Sequence, residues 1–218
     1  MSQNSISHLS YKRIIISLLV FLLIPFAERL LDLWVNNPTI SYTFVLNLAG
    51  CILIIYDWNL FGIHYNRFKA KPGDCILYTI IGLLLVGAWT KFNSSFLGGY
   101  TLVPDHETVN EYTFAAPAIL IAFTYIHASI YNIAFKCLTD HFDIREKELL
   151  IILASGFLFG LIYTLAFIPE FKLDLLVRTY LYHVVLTAIL SYLYNQSSTF
   201  LTGILSLGTI SLIAYFFF

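Results

Sequence analysis

Charge is what this chain has least of. Lysine and arginine number 12 and aspartate and glutamate 13, together 11% of 218 residues. A water-soluble domain carries about 25%, so the composition excludes a free-standing soluble protein. The formal net charge of −1 leaves no basic surface for nucleic acid and no acidic tail. Cysteine is nearly as scarce. Cys51, Cys75 and Cys137 are odd in number, lack metal-ligand spacing and lie in or beside apolar segments. They read as small apolar residues rather than a disulfide framework or a metal site. Missing too are a His-Glu-x-x-His zinc helix, a Gly-x-Ser-x-Gly elbow and a phosphate-cradling Walker loop. The paired aspartate motifs of intramembrane aspartyl proteases and the Gly-x-Ser-x of rhomboids are not found either. No cofactor or metal is expected.

Apolar sequence fills the space. Hydrophobic residues make up 59% of the chain and the mean hydropathy is +0.79. About 20 mainly apolar residues cross a bilayer as a helix. That rule predicts helices near 13–35, 42–63, 74–96, 113–137, 148–168, 174–194 and 199–217. The expected fold is therefore all-α: one polytopic transmembrane bundle, 1–218, of about seven spans, with six to eight possible. Trp34, Tyr56, Trp58, Tyr112, Tyr194 and Tyr215 flank these stretches as an aromatic belt would. Pro25 and Pro117 are expected to kink the first and fourth helices. The run IIISLLVFLLIP after Lys12 and Arg13 has the look of a signal-peptide core, but FAERLLDLW follows in place of a small-residue cleavage site. It reads as an uncleaved first span.

Cations set the expected orientation. Lys12, Arg13, Arg67, Lys69, Lys71, Lys136, Arg145 and Lys147 fall on one side of the predicted spans, and Arg29, Lys91, Lys172 and Arg178 on the other. The richer side is expected in the cytoplasm together with the N-terminus. The acidic loop at 97–112 is then outside, and so is the C-terminal end.

Ionisable and polar groups at bilayer depth are candidates for function. His127, in FTYIHASIYNIAF, shares a helical face with Thr124 and Tyr131, and Asn132 follows. His183 is flanked by Thr179 and Thr187 at four-residue spacing. Each histidine reads either as a neutral ring bonded to a neighbouring helix or as a base or substrate contact. Tyr163, in SGFLFGLIYTLAF, lies four residues after Phe159. With a pKa near 10 a phenol orients or donates rather than abstracts a proton at neutral pH. Gly156 and Gly160 form a small-xxx-small face for close helix approach. Ser206, Thr209 and Ser211 are expected to bond back to their own helix. Glu28, Arg29 and Asp32 read as an interfacial ion cluster.

Three stretches, LLIILASGFLFGLIY (149–163), SYLYNQSSTFLTGILSL (191–207) and NLFGIHYNRFKAKPGDCILYTIIGLLL (59–85), resemble segments of the CAAX-protease and bacteriocin-processing family of membrane proteins, also called the abortive-infection family. The resemblance divides the chain into variable helices over 1–112 and family-like core helices over 113–218. Active members carry Glu-Glu-x-x-x-Arg, a Phe-Gly-x-x-His and a later histidine and asparagine. By layout those groups fall near Ile126, His127 and Tyr131, on Tyr163, and near Leu207 and Ser211, so that only Phe159 matches. The resemblance thus implies a pseudo-protease whose catalytic groups are gone. His127, Tyr131, Tyr163 and His183 stay as weak catalytic candidates, and Asn132, Gly156, Phe159, Gly160, Ser206 and Ser211 as cavity or packing residues. It further implies a multi-pass protein of the bacterial plasma membrane that acts on a membrane or envelope partner, in bacteriocin self-immunity or as the scaffold of an envelope enzyme. Two alternatives stay open. One is an active intramembrane peptidase with an altered site; the other is a small transporter or channel subunit using Glu28, Asp57, Lys91 and His127.

Overall fold

The computed structural model describes residues 10–98, 116–139, 148–167 and 172–217. Every regular element among them is helical. Ser10 starts the first helix, α1 (Tyr11–Val35), its hydroxyl accepting the amide of Arg13 at 3.4 Å. Asn36 ends it in the left-handed region (φ 53°), with its amide on Asp32 O at 2.8 Å. Asn37 then caps α2 (Pro38–Tyr56) through Ile40 N at 3.1 Å, and Pro38 occupies the first turn, where its missing N–H is no loss. The sequence Asn36-Asn37-Pro38 thus stops one helix and starts the next with local chemistry alone.

The single helix expected over 42–63 is instead two. It breaks at Asp57 into α2 and α3 (Trp58–Ala70), whose axes differ by 73°. Asp57 leaves helical geometry (φ −101°, ψ 22°), and its buried carboxylate turns to α1. Oδ2 accepts the Ser17 hydroxyl at 2.8 Å and Oδ1 lies 3.6 Å from Arg13 Nε. Arg13 Nη2 also donates to Tyr56 O at 3.3 Å, taking up one of the carbonyls the break exposes.

Lys71 and Pro72 lead into α4 (Pro72–Phe92), which loosens into a π-turn over Asn93–Leu97 and stops at Gly98, with φ 60°. The remaining helices are α5 (Ala116–Thr139), α6 (Glu148–Phe167), α7 (Leu173–Ser197) and α8 (Leu201–Phe217). Pro117, expected to kink its helix, lies in the first described turn of α5. Helices α1, α4 with its π-turn, and α7 are each long and apolar enough to cross a membrane, and the bent pair α2–α3 passes together as a fourth. The apolar parts of α6 and α8, Leu149–Leu165 and Leu201–Ala214, are shorter.

The most extensive contact is α6 on α7. A Cβ at Gly160 would stand 2.9 Å from Val184 N, and one at Gly156 would stand 3.0 Å from Val184 O. Ser155 and Ser191 hydroxyls meet there at 3.0 Å. On the far side α8 lies between α4 and α5. Ser206 seats on Gly82 and bonds Thr79 O at 3.1 Å, while Tyr125 bonds Thr209 at 3.0 Å. The shared core is rich in rings, with Phe21, Tyr131, Phe135, Phe159, Tyr163 and Tyr182 all buried.

Cations gather at one end of this bundle. Arg13 meets the end of α2; Arg67 of α3 bonds Ser198 O at the end of α7; Lys136 at the end of α5 lies over the Tyr194 ring. Lys12, Lys69 and Lys71 belong to the same end by their place in α1, α3 and the start of α4. Arg145 and Lys147 lie outside the described residues, as do Tyr112 and the loop at 99–112.

Candidate functional site

Four polar side chains of α5, α6 and α7 converge on the ring cluster. His127 and Tyr131 lie one turn apart on the buried face of α5, Tyr163 comes from α6 and His183 from α7. Tyr163 is the hub. Its hydroxyl is 3.1 Å from His127 Nε2, and its ring centroid is 4.2 Å from that of His183 and 4.9 Å from that of Tyr131. Phe21 of α1 closes one side at 5.6 Å from both the Tyr163 and the Phe159 rings, and Phe159 meets Tyr131 edge-on at 5.2 Å. Pro25, one turn beyond Phe21, supplies no N–H to the Phe21 carbonyl.

Tyr131 has a defined role in the network. The single hydroxyl hydrogen of Thr187 is directed at His183 O, so the phenol of Tyr131 donates to Thr187 Oγ1 at 2.7 Å. Behind His183, Tyr182 joins α4: Trp89 Nε1 donates to Tyr182 O at 3.0 Å, and the Tyr182 hydroxyl is 3.4 Å from Thr90 Oγ1.

His183 itself is different. It is fully buried, and among the described residues neither ring nitrogen has a hydrogen-bond partner. A neutral imidazole always carries one N–H and one lone pair, so the apolar interior encloses one donor and one acceptor with nothing opposite. The buried Thr124 and Thr164 hydroxyls are likewise unpartnered. Thr124 lies one turn before His127 on α5, and Thr164 follows Tyr163 on α6. Thr164 carried no signal that set it apart from any helical threonine, because such hydroxyls ordinarily bond the carbonyl one turn back.

The other candidates lie elsewhere. Asn132 donates to Ala128 O at 2.8 Å and presents its oxygen to Gly203 of α8. Ser206 faces α4, and Ser211 bonds Leu207 O at 2.8 Å. The 206–211 stretch therefore packs α8 against its neighbours, while the fourth wall at Tyr163 is α7, through His183 and Thr187. Asp57 is bonded to Ser17 and Arg13 rather than to His127, and Glu28, Arg29 and Asp32 share the last turns of α1. The polar path drawn through Glu28, Asp57, Lys91 and His127 is thus divided between separate parts of the bundle.

No group of three or more metal-ligating side chains lies together among the described residues. The cluster as it stands can donate, accept and stack. Its hub is a phenol, and no carboxylate among the described contacts of His127 or His183 offers to take a proton from water. Comparison of the chain with protein-family models, with curated proteins and with solved structures finds no match.

Proposed function

We propose that the protein is a multi-pass membrane protein, built like a pseudo-protease of the CAAX-protease and bacteriocin-processing type, that works by holding a membrane-embedded partner rather than by cutting it. In this reading α1, α2 and α4–α8 cross the bilayer in alternation, seven times, and α3 turns aside at Asp57 to lie along the cytoplasmic surface. The cation-rich end faces the cytoplasm, as the positive-inside rule requires, and the membrane is a bacterial plasma membrane.

The observation that carries the proposal is His183. A buried imidazole with both nitrogens bare, beside a phenol where an active relative would have a histidine, is suited to receiving a polar group and unsuited to activating water. An unpaired buried donor or acceptor costs about 1–3 kcal/mol. A helix break in a partner exposes unpaired backbone N–H and C=O groups, the kinds of donor and acceptor that the two nitrogens lack. Bacteriocin self-immunity and scaffolding of an envelope enzyme both need this kind of non-destructive capture.

The test is binding without turnover. The full chain, reconstituted in vesicles, is mixed with fluorescent probes of two kinds, a farnesylated C-terminal peptide and an apolar leader peptide. Retention of at least one probe, intact, and its loss on His183→Leu support the reading. Cleavage that disappears with His127→Ala would establish the altered peptidase instead.

A further inference from the structure

A second buried histidine lies at the cation-rich end. His64, on α3, is fully buried, and its Nδ1 accepts the amide of Phe200 at 3.3 Å. A ring nitrogen that accepts carries no hydrogen, so the neutral ring bears its proton on Nε2. That Nε2–H is buried without an acceptor among the described residues.

What surrounds it donates as well. Arg67 is one turn further along the same face of α3 and places one guanidinium nitrogen 3.2 Å from Ser198 O. Lys136 arrives from α5, with its ammonium 5.5 Å from the Tyr194 ring centroid; the His64 ring is 5.9 Å from that same centroid. Both the Arg67 and the Lys136 charge are felt at the His64 ring. The turn beneath is built to stay in place. Ser198 ends α7 in the left-handed region (φ 57°), and Thr199 donates from its hydroxyl to His64 O at 3.2 Å. Phe200 then leads into the N-terminus of α8, the positive end of its dipole. The cations of α3 and α5 thus lie about His64 at this turn, with the half-buried Arg67 on its solvent side.

We propose that this junction of α3, α5 and the α7–α8 turn is a binding site for a phosphate-bearing anion, one oxygen of which accepts the Nε2–H of His64 while Arg67 and Lys136 match its charge. Phosphate suits the set because it offers several strong acceptors to donors of differing geometry. Two sources share this chemistry, the headgroup of an anionic phospholipid and a free phosphate. The place favours the lipid. Basic pockets between membrane helices at the cytoplasmic face are where such headgroups bind, and α3 exposes Trp58, and Tyr65 beside Lys69, whose ammonium is 4.6 Å from the Tyr65 ring centroid.

The experiment uses the full chain in a nonionic detergent, with thermal unfolding followed on titration of phosphatidylglycerol, phosphatidylcholine or inorganic phosphate. Phosphatidylglycerol is expected to raise the midpoint and phosphatidylcholine to leave it unchanged. A rise with inorganic phosphate at the same concentrations keeps the site and identifies the soluble anion as a ligand. His64→Asn retains an acceptor for Phe200 N–H and deletes the Nε2 donor; affinity for phosphatidylglycerol should fall about tenfold. Where that variant does not fold, Arg67→Gln reports on the same site from its solvent edge. Lys12→Gln, at the same end but away from the junction, should leave the affinity intact. Equal responses to the two lipids, or wild-type affinity after both His64→Asn and Arg67→Gln, would overturn the site.

Discussion

Adding one methyl group at Gly160 should loosen the largest helix contact in the protein. Its Cβ would stand 2.9 Å from Val184 N, 2.9 Å from Val184 Cγ2 and 3.1 Å from Val184 Cα, whereas ordinary contact begins at 3.4 Å. The valine methyl can rotate away, but the amide nitrogen and α-carbon belong to the α7 backbone. To reach 3.4 Å from 2.9 Å, the two helices must separate by about 0.5 Å. Such a gap forfeits a quarter to a half of each dispersion contact along the seam, and overpacking of this kind costs about 1–3 kcal/mol. Alanine's better helix propensity returns about 1 kcal/mol at most, so the balance is destabilising. Gly62 is the internal comparison: a Cβ there meets nothing within 4 Å. Gly62→Ala should therefore be neutral or stabilising by up to about 1 kcal/mol. Unfolding in mixed micelles, read by a dye that labels the buried Cys75 and Cys137 thiols as they emerge, ranks the two variants against wild type. If Gly160→Ala matched wild type, or were the more stable of the pair, the close approach of α6 and α7 would have no energetic weight.

Three further outcomes follow from described contacts. Tyr163→Phe removes the bond to His127 but keeps the ring stack, and should lower stability by about 1 kcal/mol, the usual worth of an interhelical bond in a membrane; a loss several times larger would show that the hydroxyl organises the whole cluster. Asp57→Ala leaves the buried Ser17 hydroxyl without its acceptor and should cost about 1–3 kcal/mol. Asp57→Asn keeps an acceptor for Ser17 and should cost less, so equal unfolding midpoints would contradict the assignment of that bond. Cys51, exposed on a helix of the proposed bilayer, should react in sealed vesicles with an apolar maleimide and resist a charged one; rapid labelling by the charged reagent would place it in water.

Much of the helical layout could be read from the residues, because length and apolarity are local properties. The turn at Asn36-Asn37-Pro38 could be read as well, since each residue there acts on its nearest backbone. Asp57 is the instructive miss. Within CILIIYDWNLFG it was visible as one carboxylate in an apolar run, but the sequence does not say that Arg13 and Ser17 face it, and without them a continuous helix is the simpler reading. The candidate site divides in the same way. His127, Tyr163 and His183 each stood out as polar residues in apolar spans, yet which of them meet depends on the rotation of three helices about their axes. Ser206 and Ser211 were grouped with them on layout and belong to another interface. His64 lies just past the span expected over 42–63, and its partner turn at 197–200 is more than a hundred residues away.

In the proposed membrane topology, the position of α8 bears on how the protein meets bilayers of different thickness. Its 17 residues extend about 26 Å at 1.5 Å per residue, short of a hydrocarbon core of about 30 Å. A lipid-facing helix of that length would pinch the membrane around it. Between α4 and α5, α8 is partly shielded from that mismatch, because those faces meet protein rather than acyl chains. The hydrophobic belt presented to lipid is set by longer neighbours, α1 with 25 residues and α4, which its π-turn extends to 26. Shortening α8 within its polar turn would then alter packing without altering the membrane thickness in which the bundle is at ease.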